Sequence, residues 1–184
     1  PRQRVELAER IRPVIFDNRH QHISQHALDF LWRKLNHYDT RRLHRLRICD
    51  RSDVRGRNGF AGRCYYPVGL RHSYWIACHI FGNHYPILYR ETNPNVCCTL
   101  HSTDEVCIYV AGHELFHFLS HSGQVAKIDS EPNAIRYGLE WLKETEDNNI
   151  ASSGFTDEMT HTLQKKEEEL CLTSTRTIEA SPTA

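Results

Sequence analysis

Residues 103–120 read TDEVCIYVAGHELFHFLS, and the reading of this stretch decides the fold. Thr103, Val106 and Val110, then Leu115 and Leu119, recur at three- and four-residue steps, so the spacing predicts a helix with a buried stripe. Gly123 stands just past its end, where glycine takes the left-handed conformation that stops a helix. Inside the stretch, His113, Glu114, Leu115, Phe116 and His117 spell H-E-x-x-H. Positions i and i+4 of a helix share a face with Cβ atoms about 6 Å apart, so both imidazoles can reach one metal ion. Glu114 lies at the edge of that face, where it can take a proton from a metal-activated water without being a ligand. A random chain of this composition, with 13 His, contains the motif with a probability of roughly 0.07, so its surroundings have to carry part of the argument.

A catalytic zinc takes three protein ligands and keeps a position open for water. Glu131 is the best third ligand, because it opens the next expected helix, about 130–144, after a short connection. An antiparallel helix pair brings that first turn back over the ion. Ala134, Ile135, Gly138 and Leu142 continue the Glu131 stripe, and the small Ala134 and Gly138 permit close approach. Pro132 is tolerated there because it lies in the first turn. Asp129 is chemically competent as a rival third ligand but sits in the connection. His121 continues the stripe from His113, but eight residues rise about 12 Å along a helix, so the two cannot share an ion. Position 120 is Ser120 and position 123 is Gly123, which excludes the longer metzincin pattern.

Working outward, residues 3–11 and 24–37 have helical spacing. In the second, Ala27, Leu28, Leu31, Trp32 and Leu35 form the stripe, with Ser24 as N-cap. Leu43–Cys49, Gly59–Tyr66 and His72–Phe81 read as strands, Tyr85–Tyr89 as a fourth, and 91–103 as a loop. Residues 145–156 read as a linker, 157–172 as a last amphipathic helix, and 173–184 as a disordered tail. The expected organisation is one α+β domain over 1–172 with its core at 24–143. In it a short, mostly antiparallel sheet packs on the active-site helix and the glutamate-bearing helix that follows.

The chain of 184 residues carries 39% hydrophobic and 25% charged residues, which excludes a disordered acidic or basic tail. No run approaches the roughly 20 apolar residues of a membrane span, and the first residues lack a secretory signal, so a cytoplasmic location without membrane contact is expected. The seven cysteines form no C-x-x-C pair, which removes zinc ribbons and thioredoxin-type motifs. The net charge of zero conceals two unlike halves. Residues 1–72 hold 16 Lys/Arg against 7 Asp/Glu, and residues 73–184 hold 7 against 16. The arginines are densest at Arg41, Arg42, Arg45, Arg47, Arg51, Arg55 and Arg57, a pattern that fits either nucleic acid or an evenly solvated surface.

On these residues the chain resembles zincin metallopeptidases of the gluzincin type. His113, Glu114 and His117 match the H-E-x-x-H helix, and Glu131 to Ala134 match the downstream E-x-x-A. The order of helix, sheet, active-site helix and glutamate helix resembles the small ImmA/IrrE-like peptidase domains. Gly59 to Tyr66 followed by a strand is more loosely similar to SprT-like proteases, which act on DNA-bound proteins. The resemblance covers roughly 24–143. Two departures stand out. Ile135 occupies the place where related domains carry an Asn or Asp that supports a ligating His, and no downstream H-G pair supplies the third His of the SprT type.

The expected activity is therefore zinc-dependent hydrolysis of a protein or peptide, with Zn2+ on His113, His117 and Glu131 and Glu114 as general base. Tyr137 or His121 would assist at the oxyanion, and a strand edge near 72–81 would hold the substrate backbone. The alternative is a non-catalytic zinc-containing module that contacts nucleic acid or an acidic partner through the Arg-rich half. That reading requires a fourth protein ligand to close the site.

Overall fold

The computed structural model describes residues 14–50, 60–68, 73–81 and 85–153, with residues 146–153 as backbone only. The elements run β1 (Ile15–Asn18), α1 (Gln25–Leu35), β2 (Leu43–Asp50), β3 (Phe60–Tyr65), β4 (Tyr74–Ile80), β5 (Ile87–Thr92), β6 (Asn95–Leu100), α2 (Thr103–His121) and α3 (Glu131–Ser153). The class is α+β. A four-stranded sheet has the order β1-β2-β4-β3, and β5 and β6 form a separate antiparallel pair. Antiparallel pairing joins β3 to β4, while β1, β2 and β4 run parallel. Parallel neighbours need a crossover, and α1 supplies it between β1 and β2.

Side chains alternate across the sheet. Leu46, Ile48, Cys64, Ile76, Cys78 and Ile80 are buried on its inner face, toward α2. Helix α2 lies between the sheet and α3, so it is buried nearly all round from Val106 to Leu119, with His113 the half-exposed break in that run. Ser102 is its N-cap. Ser102 Oγ accepts from the Glu105 backbone N–H at 3.2 Å and donates to the Glu105 carboxylate at 3.3 Å. It stops at Gly123 (φ +75°), where Gln124 N–H donates to Leu119 O at 2.8 Å and Gly123 N–H to Ser120 O at 3.1 Å.

Two glycines bring α2 and α3 together. A Cβ on Gly138 would stand 2.7 Å from the Tyr109 carbonyl oxygen, and one on Gly112 would stand 3.0 Å from the Trp141 ring. The close approach expected at Gly138 is therefore present, and it delivers the first turn of α3 to the His113–His117 face. Trp141, 2% exposed, fills the space beyond and meets Phe30 edge-on at 5.9 Å. Truncating such a residue costs about 3–5 kcal/mol.

Several sequence expectations need correction. Residues 145–153 continue α3 rather than forming a linker. The stretch 91–103 is not all loop, since β5 runs to Thr92 and β6 follows. β1 was not anticipated. The strand at 74–80 is interior, between β2 and β3, so it offers no edge; β1 and β3 are the edge strands among the described residues. The helices expected over 3–11 and 157–172 and the tail at 173–184 lie outside the described residues. Among the described residues, no helix is long and apolar enough to cross a membrane.

Candidate metal centre

Helix α2 places His113 and His117 one turn apart, with their Nε2 atoms 3.3 Å from each other. The first turn of α3 brings Glu131 against both. Its Oε2 is 3.1 Å from His113 Nε2, and its Oε1 is 3.6 Å from His117 Nε2. The three donor atoms lie within 4.8 Å of one another, and they form the one such His/Cys/Asp/Glu group among the described residues. Two imidazole nitrogens and one carboxylate with an open side suit a catalytic zinc. The Glu131 side chain is 71% exposed, so the cluster faces solvent rather than being sealed. Its carboxyl is held below the usual range, chiefly by its hydrogen bond to His113.

Glu131 and Asp129 stand differently to the cluster. Asp129 Oδ1 lies 2.6 Å from His117 Nδ1, the ring nitrogen on the far side from the cluster. A carboxylate there favours the proton on Nδ1, with Nε2 facing the three-donor point. Asp129 thus contacts His117 from outside the three-donor group, to which Glu131 belongs. The other oxygen of Asp129 accepts from Tyr66 OH at 3.2 Å. The loop that carries it is tied to both helices at adjacent carbonyls. Ser120 Oγ donates to Lys127 O at 2.8 Å, and Asn133 Nδ2 donates to Ile128 O at 3.0 Å. Among the described residues His113 has no equivalent contact; its Nδ1 is buried without a hydrogen-bond partner there.

Glu114 is 6% exposed and sits beside the cluster, its Oε1 3.8 Å from His113 Nε2. Burial raises its carboxyl above the usual range, against the pull of His113 and His117 and a hydrogen bond from the Cys64 backbone. It owes its place to Gly62 on β3. A Cβ there would stand 2.3 Å from Glu114 Oε1 and 2.5 Å from its Cγ. Nothing in the sequence singled out Gly62, because its role depends on a strand from another part of the chain.

Two adjoining clefts of about 310 and 340 Å³ flank the cluster, and both are bordered by Gly62, His113, Glu114 and Glu131. The first has an apolar wall of Phe60, Tyr109, Val110 and Ile135; the second is bordered by Cys64 and Tyr66. Burial and the nearby carboxylates push the Cys64 thiol up to about 12, so it remains protonated. The two expected oxyanion helpers lie elsewhere. Tyr137 OH is bonded to Tyr38 OH, and His121 Nδ1 lies 2.6 Å from Tyr74 OH. Tyr66 borders the second cleft, and Tyr89 and Tyr109 border the first. No protein-family model, no curated protein and no solved structure matches the chain.

Proposed function

We propose that this chain is a zinc-dependent metallopeptidase of the gluzincin type. One observation carries the reading: the convergence of His113 Nε2, His117 Nε2 and the Glu131 carboxylate, with the buried Glu114 carboxylate at their side. The orientation of His117 by Asp129 and the solvent-open side of the cluster support it further.

His113, His117 and Glu131 would hold the ion. When bound, zinc supplies Lewis acidity, lowering the pKa of a coordinated water toward ~7 and polarising the scissile carbonyl. Glu114 accepts the proton of the attacking water and passes it to the leaving amine. Its buried setting raises its basicity, which suits a group that must hold a proton briefly at neutral pH. Among the described residues β3 pairs with β4 alone, so an extended substrate segment can pair along its outer edge past Gly62 and Glu114.

The test combines metal content with peptide hydrolysis. About one zinc per chain is expected, falling sharply in Glu131→Ala and about 10–100-fold in affinity in Asp129→Asn. Glu114→Gln should retain the metal and lose hydrolysis of an unfolded protein such as reduced casein. Hydrolysis that survives in Glu114→Gln would remove Glu114 from the base role. A protein that takes up no zinc on reconstitution would remove the reading altogether.

A further inference from the structure

The outer face of the four-stranded sheet is unlike the inner one. Cross-strand register puts Arg45 beside Trp75 and Trp75 beside Tyr65 in one row, and Asp17, Arg47, Ala77 and Arg63 in the next. Trp75 and Tyr65 stack face to face, with centroids 3.8 Å apart and planes 5° from parallel. Arg47 lies over the Trp75 ring at 5.9 Å, and Arg63 over the Tyr65 ring at 5.7 Å. Each ring of the stacked pair therefore has a guanidinium within cation–π distance, and Arg47 Nε also donates to Asp17 at 2.9 Å.

The charge of this face is strongly one-sided. Asp17 is its single carboxylate among the described residues, and it is shared by Arg19 at 3.0 Å, Arg47 at 2.9 Å and Arg45 at 3.9 Å. Arg63 is exposed and has no carboxylate within ion-pair distance among the described residues. Arg45 Nε is buried without a hydrogen-bond partner. None of the three described helices packs on this face, since α2 occupies the inner one.

The geometry points to this outer face as a nucleic-acid-binding surface that contacts phosphodiester oxygens through Arg45, Arg47 and Arg63. Arginine rather than lysine suits bidentate contact with phosphate. The contacts reach the backbone, because Tyr65 and Trp75 are stacked on each other and the exposed chemistry of the face is guanidinium. Recognition is therefore independent of sequence and sensitive to salt. Arg63 also borders the metal cleft, so a bound strand would run beside the proposed peptidase site.

The test is fluorescence anisotropy with labelled 20-nucleotide single strands and duplexes, on the full chain both zinc-loaded and chelator-treated. Binding at low salt is expected with or without zinc, so it reads separately from peptidase activity. Arg47→Glu/Arg63→Glu should weaken it at least tenfold and flatten the plot of log affinity against log salt by about two. Arg63→Glu alone, at an exposed position that leaves the Asp17 ion pairs intact, should weaken it in part. Arg41→Glu, in the loop before β2, should leave it unchanged. Absence of binding at low salt, equal binding by the double variant, or equal binding of polyglutamate of similar length would each overturn the proposal.

Discussion

At the scale of single residues, the site depends on atoms that are missing as much as on those present. Gly62 leaves the space in which the Glu114 carboxylate lies. Gly62→Ala places a methyl there, and the flexible Glu114 side chain has to move while the metal ligands do not. The expected outcome is a fall in kcat of about 10²-fold or more, with zinc content and melting temperature little changed. Equal losses of zinc and activity would show instead that β3 itself had shifted. The convergence of His113, His117 and Glu131, with Glu114 beside them, was legible from spacing, since a helix fixes i and i+4 and small residues at 134 and 138 foretell a close helix pair. Asp129 was legible as a competent group but not as a partner of His117 Nδ1. Sequence does not reveal which ring nitrogen a carboxylate faces.

At the scale of elements, α1, β2, α2 and the start of α3 were readable because their apolar periods are long and their caps sit at the ends. Ser24 caps α1 as its position implied. The shorter pieces were not readable. β1 has four residues, and β6 (NVCCTL) shows no clean alternation. The polar run TEDNN gave no sign that α3 continues, because helix periodicity is silent once the apolar stripe ends. Ion pairs join some of these elements. Asp17, on β1, binds Arg47 on β2, and Arg19 and Arg47 hold its carboxyl below the usual range. A carboxyl depressed in the folded state contributes stability above its unfolded pKa of about 3.9 and loses it as pH falls through the lower folded value. Asp17→Asn is therefore expected to lower the urea midpoint at pH 7, with the difference from wild type closing as pH falls below about 4. A difference that stays constant across that range would assign the effect to packing rather than charge.

At the scale of the whole molecule, an ion held by His113, His117 and Glu131 would tie α2 to α3, and α3 also closes over the core through Trp141 and Leu142. Zinc binding should then stabilise the fold by mass action. At a hundredfold excess over its dissociation constant the gain is about 2.7 kcal/mol, or about 5–10 °C in Tm for a chain of this size. Calorimetry with and without chelator measures it, and Glu131→Ala should abolish the shift. The α+β class was predictable from the order of periods. The direction of each strand was not, because it depends on which connections cross over, and the β1–α1–β2 crossover rests on a strand too short to detect.

If the proposed peptidase reading holds, the outer edge of β3, which no described strand covers, has a consequence for what would be cut. A segment aligned beside it must be fully extended over several residues, a shape that no helix and no interior strand of a folded target can assume. The cleft would sort its targets by folding state before it sorts them by side chain. Cleavage would follow the fraction of time a given stretch is locally open, so the thermodynamic stability of the victim, more than its sequence, would set the rate of its destruction.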